Sequence, residues 1–491
     1  MRYFIGADLG TSALKLLLCE ESGKTVASVS KEYCVYYPSP GHSEQEPSDW
    51  WNAFSQGMLE LTKGIDKSKI VGIGVAGQMH GLVILDENDC VIRPAILWND
   101  GRTDKETEYL NKVIGTEALT GMTANIAFAG FTAPKLLWLK NNEPHNFKRI
   151  AKIMLPKDYI NYKLTGVHAC DYSDASGMLL LDVKNRCWSR EMLKICGVNE
   201  CQMPRLTESY QSIGSLLPEI ASQLGLSPET AVAGGAGDNA GAAVGMGTLS
   251  NGKCNISIGT SGTVFVSSDK FVCDSKNALH YFCHANGKHH IMGCILSAAS
   301  CHKWFCNNVL HTDDYSGTQK ALTEALLGKN TVYFLPYLMG ERSPINDTDA
   351  TGMFIGLRPD TSSEDMTLAI LEGVAFAIRD NLEAIKSMGV PISSATVCGG
   401  GAKSPVWLKI LANVLNITLF TPENEEGPSL GAAYLAMLAS GACMGFGDLP
   451  PLKTKTEICP SPEIAALYDE KYRKFKKIYP HIKNLYKEIK E

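Results

Sequence analysis

At 491 residues, with 45% hydrophobic residues, 20% charged residues and a net charge of −6, the chain exceeds one ordinary core and lacks the basic footprint of a nucleic-acid binder. Its 16 cysteines, several of them inside apolar runs (Cys19, Cys254, Cys294, Cys398), suit reduced, buried thiols in a cytoplasmic setting rather than a disulfide framework. The N-terminus turns polar and glycine-rich too soon for a signal peptide, and no apolar run is long enough to cross a bilayer.

In chain order, Tyr3 to Leu18 reads as strand, turn, strand, with Gly10-Thr11-Ser12 as the turn and Asp8 ending the first strand. Thr25 to Val35 is a third strand. A helix starts at Glu46-Pro47, and Trp51, Phe54, Met58 and Leu61 recur on one face of it. Ile70 to Ala76 is a strand ending in Gly77-Gln78-Met79-His80-Gly81, with Leu82 to Leu85 expected as its hairpin partner. Residues 104–200 read as helices and loops, interrupted by the polar segments Leu155 to Tyr159 and Asp171 to Ser176. Val232 to Gly245 then runs from a short apolar stretch into a glycine-rich turn, and Asp238 stands where a helix should begin. The Ala/Gly run that follows can only pack tightly against something flat.

Past that point the opening pattern returns. Asn255 to Val266 is again strand, turn, strand, and Gly259-Thr260-Ser261 repeats Gly10-Thr11-Ser12 about half a chain later. This predicts two domains with one core design, with residues 1–248 forming the first, 249–491 the second, and a hinge near the glycines of 245–255. The second sheet is expected to end at Ala395 to Cys398, before Gly399-Gly400-Gly401. Ser404-Pro405 caps and opens a helix, Thr361 to Glu364 forms a capping box for an earlier one, and an Ala-rich helix covers Ser429 to Ala439. A Lys-, Tyr- and Glu-rich amphipathic helix closes the chain from about Asp469.

The chemistry follows from these placements. Backbone N–H groups and hydroxyls at the two Gly-Thr-Ser turns make phosphate-binding concavities, and if the domains face each other both address one cleft. Either turn alone could be an ordinary hairpin; two in matching contexts, with Asp238 between them, favour function. Asp8 beside a phosphate would repel it, so its task is to hold Mg²⁺. Asp238 at a helix N-terminus is expected to stay ionised and to act as the base of a phosphoryl transfer, whose loose transition state needs the hydroxyl proton only late. An N-cap is the commoner job for such an Asp, but capping alone does not need Gly234, Gly235 and Gly237. Gly399 to Gly401 either lets a flat adenine or ribose lie on the backbone or is a plain tight turn. Gln78 and His80 offer an amide and an imidazole to polyol hydroxyls, although a lone His is more often a structural hydrogen-bonder. Gly247 to Cys254 is no P-loop, because Cys254 stands where Ser or Thr must reach Mg²⁺. Gly235 to Ala240 is no dinucleotide fingerprint, because Asp238 would face the pyrophosphate. The Cys and His pairs at 283–284, 289–290 and 301–302 lack zinc spacing.

Asp8-Leu-Gly-Thr-Ser12, Gly77-Gln-Met-His-Gly81, Leu97-Trp-Asn-Asp-Gly-Arg102, Leu155-Pro-Lys-Asp-Tyr159, Gly237-Asp-Asn239, Gly259-Thr-Ser-Gly262, Gly340-Glu-Arg342 and Gly399-Gly-Gly401 together resemble the FGGY carbohydrate kinases, in family order and over nearly the whole chain. The resemblance implies an α/β fold of two actin-like (ribonuclease H-like) domains flanking a deep central cleft, with sugar held mainly by the first and ATP mainly by the second. It implies phosphorylation of D-xylulose to D-xylulose 5-phosphate with ATP and Mg²⁺, with L-xylulose, ribulose or a related polyol as the alternative substrate. Asp238 then matches the catalytic base, with Asn239 beside it. Met79 and His80 match sugar contacts, next to Gln78. Asp8 matches the carboxylate near metal and γ-phosphate, and Thr11, Ser12, Thr260 and Ser261 match the phosphate turns. Gly400, Gly401 and Ser404 match adenine-side contacts, and Trp304 flanks the nucleotide. Neither nucleic acid nor membrane is an expected partner, and a homodimer is left open. A non-catalytic sugar sensor, an ATP-binding assembly module and a dehydrogenase are the rival classes.

Overall fold

The computed structural model describes residues 1–276, 278–423 and 426–490. Its first half is built on strands β1 (Tyr3–Leu9), β2 (Ala13–Glu20) and β3 (Thr25–Glu32), an antiparallel meander. Helix α1 (Pro47–Leu61) follows, opened by Pro47, whose missing N–H costs nothing in a first turn. Trp50, Phe54, Met58 and Leu61 bury one face of it against the sheet, each contributing about 1.5–3 kcal/mol. Trp50, not the expected Trp51, fills the inner position. Strand β4 (Ile70–Gly77) lies parallel to β1, and β5 (Ser212–Ser215) and β6 (Ala231–Ala233) extend that side, giving the order β5-β6-β4-β1-β2-β3. Ala236 and Gly237 prolong the pairing beside the end of β4 and lead into helix α2 (Asp238–Gly245).

The second half repeats the plan. Strands β7 (Cys254–Ile258), β8 (Gly262–Ser268), β9 (His280–Cys283), β10 (His289–Ile295), β11 (Ser394–Cys398), β12 (Thr418–Pro422) and β13 (Thr454–Ile458) are ordered β9-β10-β8-β7-β11-β12-β13. The β7–β8 hairpin corresponds to β1–β2, and β11, parallel to β7, corresponds to β4. Helices α3 (Ser363–Ser387), α4 (Pro405–Leu415), α5 (Gly427–Ala439) and α6 (Pro462–Lys490) complete it. This is the expected mixed α/β fold of two related domains.

Three local expectations are corrected. Val83–Leu85 pairs with Lys152–Met154 instead of folding back on β4. The second sheet does not stop at β11 but continues through β12 and β13. The cap of α3 is Ser362, whose Oγ accepts from Asp365 N, one residue beyond the expected box.

The two halves are joined by their glycines. Helix α5 lies across the first sheet, although it belongs to the second half of the chain. A Cβ at Gly6 would stand 1.8 Å from Ser429 O, and one at Gly74 would stand 2.0 Å from Ala432 O. Helix α2 rests on α5 so closely that a Cβ at Gly431 would be 1.8 Å from Gly241 O. This helix is the flat partner that the Ala/Gly run requires. On its other side, Ala243 of α2 clusters with Phe265 and Met292 of the second sheet. The helix that begins with Asp238 is therefore wedged between the two sheets. Among the described residues no helix is long and apolar enough to cross a membrane.

Candidate active site

Asp8 and Asp238 come from opposite directions. Asp8 is the penultimate residue of β1, paired with Lys15 on β2, and Asp238 is the first residue of α2. The cap of α2 is Gly237, so Asp238 is not spent on capping. Its Oδ1 accepts from Asn239 N (2.7 Å) and Asn239 Nδ2 (2.8 Å). Among the described residues no hydrogen bond reaches Oδ2. Burial pushes the Asp238 carboxyl up to about 6, against the pull of the Asn239 bonds. The helix N-terminus thus does not keep it at an ordinary carboxylate value, yet it is mostly ionised at neutral pH. Burial, then the charge of Asp238, pushes Asp8 up to about 7, with Lys15 pulling it back. A carboxyl raised by burial, and raised further by the charge of a second one, is what a divalent cation would relieve. The residues present therefore fit a cation held mainly by substrate phosphates and one carboxylate, and no protein cage of three or more His, Cys, Asp or Glu exists among the described residues.

The glycines around Asp238 serve the protein backbone more than a ligand. A Cβ at Gly235 (φ +79°) would lie 2.1 Å from Val75 O, and one at Gly237 would lie 2.8 Å from Met79 Sδ. Gly237 thereby lets the Met79 side chain settle beside Asp238. His80 holds a left-handed backbone (φ 70°), rare for a residue with a Cβ and frequent at functional sites. Its ring stacks on Phe131 at 4.5 Å, and Nδ1 bonds Gly177 O at 2.6 Å. Because a carbonyl only accepts, Nδ1 carries the proton and Nε2 is left as an acceptor. Burial pushes His80 down to about 3, so the ring is neutral. Gln78 is buried deeper, its Nε2 donating to Gln45 Oε1 (2.9 Å).

The two Gly-Thr-Ser turns stand at matching strand ends but close differently, the first on the third residue after its glycine and the second on the second. Gly10 N donates to Ala13 O and Gly259 N to Ser261 O, both at 3.0 Å, and Ser12, Thr260 and Ser261 are exposed. Trp98, 44% exposed, donates its indole N–H to Thr11 Oγ1 at 2.9 Å. Just past the end of β11, beside the end of β7, a Cβ at Gly400 would meet nothing within 4 Å, whereas one at Gly401 would strike Ile258. Ser404 Oγ accepts from Trp407 N as the cap of α4 and donates to Gln319 Oε1. Trp304 ends the short helix Ala299–Trp304, whose first N–H donates to Gly259 O of the second turn at 2.8 Å.

A buried cluster holds the turn before Asp238, on segments that read in sequence as polar interruptions and, at Leu155 to Tyr159, as a family motif with no assigned role. Lys157 Nζ contacts Asp158 Oδ1 (2.5 Å), Asp171 Oδ1 (2.9 Å) and Asp174 Oδ2 (3.6 Å), all fully buried. Asp171 Oδ2 accepts from Ser173 Oγ, which accepts from Gly237 N at 3.2 Å. Burial pushes Asp174 well above the carboxylate range, so the cluster carries less charge than its composition suggests. The signal that could have found it is the pairing of Lys157-Asp158 with Asp171 and Asp174, four charged residues in segments otherwise patterned as core.

A repeated sheet design, with two half-buried carboxylates and a hydroxyl-bearing turn in each half, fits a phosphotransferase of the two-domain sugar kinase class. The comparisons agree. The N-terminal domain of the FGGY family of carbohydrate kinases matches residues 3–245, and its C-terminal domain matches residues 254–440. The chain belongs to this family and is an ATP-dependent carbohydrate kinase. It is 39% identical over 483 residues to a xylulose kinase of Escherichia coli (strain K12), covering 98% of this chain and 99% of that one. Two crystal structures from Lactobacillus acidophilus are equally near in sequence, each 27% identical. Ligand-bound xylulose kinase has a TM-score of 0.94 over all of both chains, and gluconate kinase has 0.93 over 99% of each.

Proposed function

We propose that this chain transfers the γ-phosphoryl group of ATP to O5 of D-xylulose, releasing ADP and D-xylulose 5-phosphate. One observation carries the mechanism: Asp238 is half-buried at a helix N-terminus with Oδ1 held by Asn239 and Oδ2 free, one residue from the Gly237 that Met79 packs against. Oδ2 accepts the proton of the attacking hydroxyl as the P–O bond forms. His80 Nε2 accepts from another sugar hydroxyl, and Met79 supplies the apolar wall. Thr11 and Ser12 on one side, and Gly259, Thr260 and Ser261 on the other, receive phosphate oxygens. Gly400, Gly401, Ser404 and Trp304 surround the adenine, and the N-terminal half holds mainly sugar while the C-terminal half holds mainly ATP. Asp8 is the residue that would hold Mg²⁺, which when bound neutralises charge on the transferring phosphate.

The sugar rests on the relatives' names and on the Met79-His80 pair, since the same fold carries a gluconate kinase at equal similarity. The test is kcat/KM with ATP and Mg²⁺ over D-xylulose, L-xylulose, both ribuloses, gluconate and xylitol, read as ADP release. D-xylulose should lead by about tenfold or more, the discrimination that one well-placed contact supplies. If another sugar leads, the xylulose assignment fails while the kinase stands.

The adenine assignment has its own check. Gly400→Ala places a methyl in open space, so Tm should not move. If adenine lies on that backbone, ATP KM should rise about tenfold, equivalent to about 1.4 kcal/mol, with sugar KM unchanged.

A further inference from the structure

Arg342, the last residue of the Gly340-Glu-Arg segment, has no role in the site described so far. It belongs to the second half of the chain, on a loop that is tightly held. Glu341 Oε1 accepts from Arg342 N (2.8 Å) and Leu296 N (3.0 Å), and Arg342 O accepts from Asn346 N. Ser343 N donates to Cys294 O, and Asn381 Nδ2 donates to Ser343 O, both at 3.0 Å. The guanidinium reaches across to the first half and sits 5.1 Å from the centre of the Phe128 ring. From there a layer of rings leads to the sugar side of the site. Phe128 meets Phe131 edge-on at 5.4 Å and His280 at 5.1 Å, and Phe131 stacks on His80.

Among the described residues Arg342 has no carboxylate at ion-pair distance. Its neighbour Glu341 is pushed up to about 8 by burial and is mostly neutral at pH 7. The Arg342 guanidinium meets the Cys294 thiol, a weak and uncharged acceptor, so the half-buried cation is costly unless further lone pairs meet it. Its position along the site follows from the ring layer: through Phe128 and Phe131 the guanidinium bears on the His80 side, where the sugar is held.

We infer that Arg342 is a specificity-determining residue: a donor brought across by the second domain that grips the carbonyl and hydroxyl oxygens at the end of the sugar remote from the phosphorylated hydroxyl. The inference rests on the sugar lying between Asp238 and His80, as proposed above, but not on which sugar it is. An acyclic ketose offers two adjacent oxygen acceptors at C1 and C2, and guanidinium offers paired donors and no acceptor. Because the donor comes from the opposite domain, the grip also couples sugar binding to approach of the domains.

The experiment compares wild type, Arg342→Gln and Arg342→Lys on the best sugar of the wild-type panel and on its 1-deoxy analogue. Arg342→Gln should raise sugar KM about tenfold or more, the loss expected for a charged hydrogen bond, with ATP KM within about twofold. It should also erase most of the wild-type preference for the intact sugar over the analogue, and Arg342→Lys should restore part of it. An unchanged preference overturns the inference, as does a fall in kcat at unchanged sugar KM, which would place Arg342 on the phosphoryl group. A common loss of sugar affinity, ATP affinity and Tm also overturns it, by making the role structural. Failure of the xylulose assignment is read separately, in the wild-type panel alone.

Discussion

Asp238→Asn is expected to lower kcat by about 10²-fold or more, while ATP KM stays within a few-fold of wild type. The amide keeps the size of the carboxylate and can still meet Asn239, so the helix start should survive. What it loses is a lone pair able to take a proton at Oδ2. Tm should not fall, because removing a carboxyl whose ionised form is disfavoured by burial removes a cost. The same reasoning sets a pH dependence. The base works only when ionised, and burial holds it at about 6. In the free enzyme kcat/KM should therefore decline as pH falls through about 6 and level off above it, with Asp8, at about 7, able to shift the acid limb upward while no cation faces it. Asp238→Asn should flatten that limb in whatever activity remains. Sugar-dependent ADP release near the wild-type rate from the variant would remove Asp238 from the chemistry.

The elements that carry this reasoning were legible in the sequence because they are local. The two strand-turn-strand units with Gly-Thr-Ser tips, the helix starts at Pro47 and Ser404-Pro405, and the bend before Asp238 each follow from residues within a few positions of one another. What escaped is non-local. Val83–Leu85 reads as a hairpin arm, but its partner is Lys152–Met154, nearly seventy residues on, and alternation in one strand says nothing of its neighbour. Lys157 and its aspartates lie in two short stretches that only the tertiary fold brings together. Trp98 is half exposed and bonded to the first Gly-Thr-Ser turn, nearly ninety residues away in sequence. The glycines before Asp238, more than capping needs, make room for Val75, Glu208 and Met79. A glycine's need for space is visible in a sequence, but not what occupies it.

That distinction yields the largest structural effect expected from a single methyl group. Gly431→Ala would place Cβ 1.8 Å from Gly241 O and 3.0 Å from Gly245 N, both backbone atoms of α2. No side chain can rotate away, so α2 and α5 must separate, and overpacking of this kind costs about 1–3 kcal/mol or more. A clear fall in Tm is the expected result, against none for Gly400→Ala. The separation should also reach the chemistry. Helix α5 rests on β1 and β4 through Gly6 and Gly74, and α2 rests on α5, so the place of Asp238 relative to Asp8 is set through this stack. Catalysis is sensitive to displacements of about 1 Å, so kcat measured well below the melting temperature should fall as well, with ATP KM little changed. A Gly431→Ala protein with wild-type Tm and kcat would mean that the crossing is slack and that Asp238 is positioned by its own turn alone.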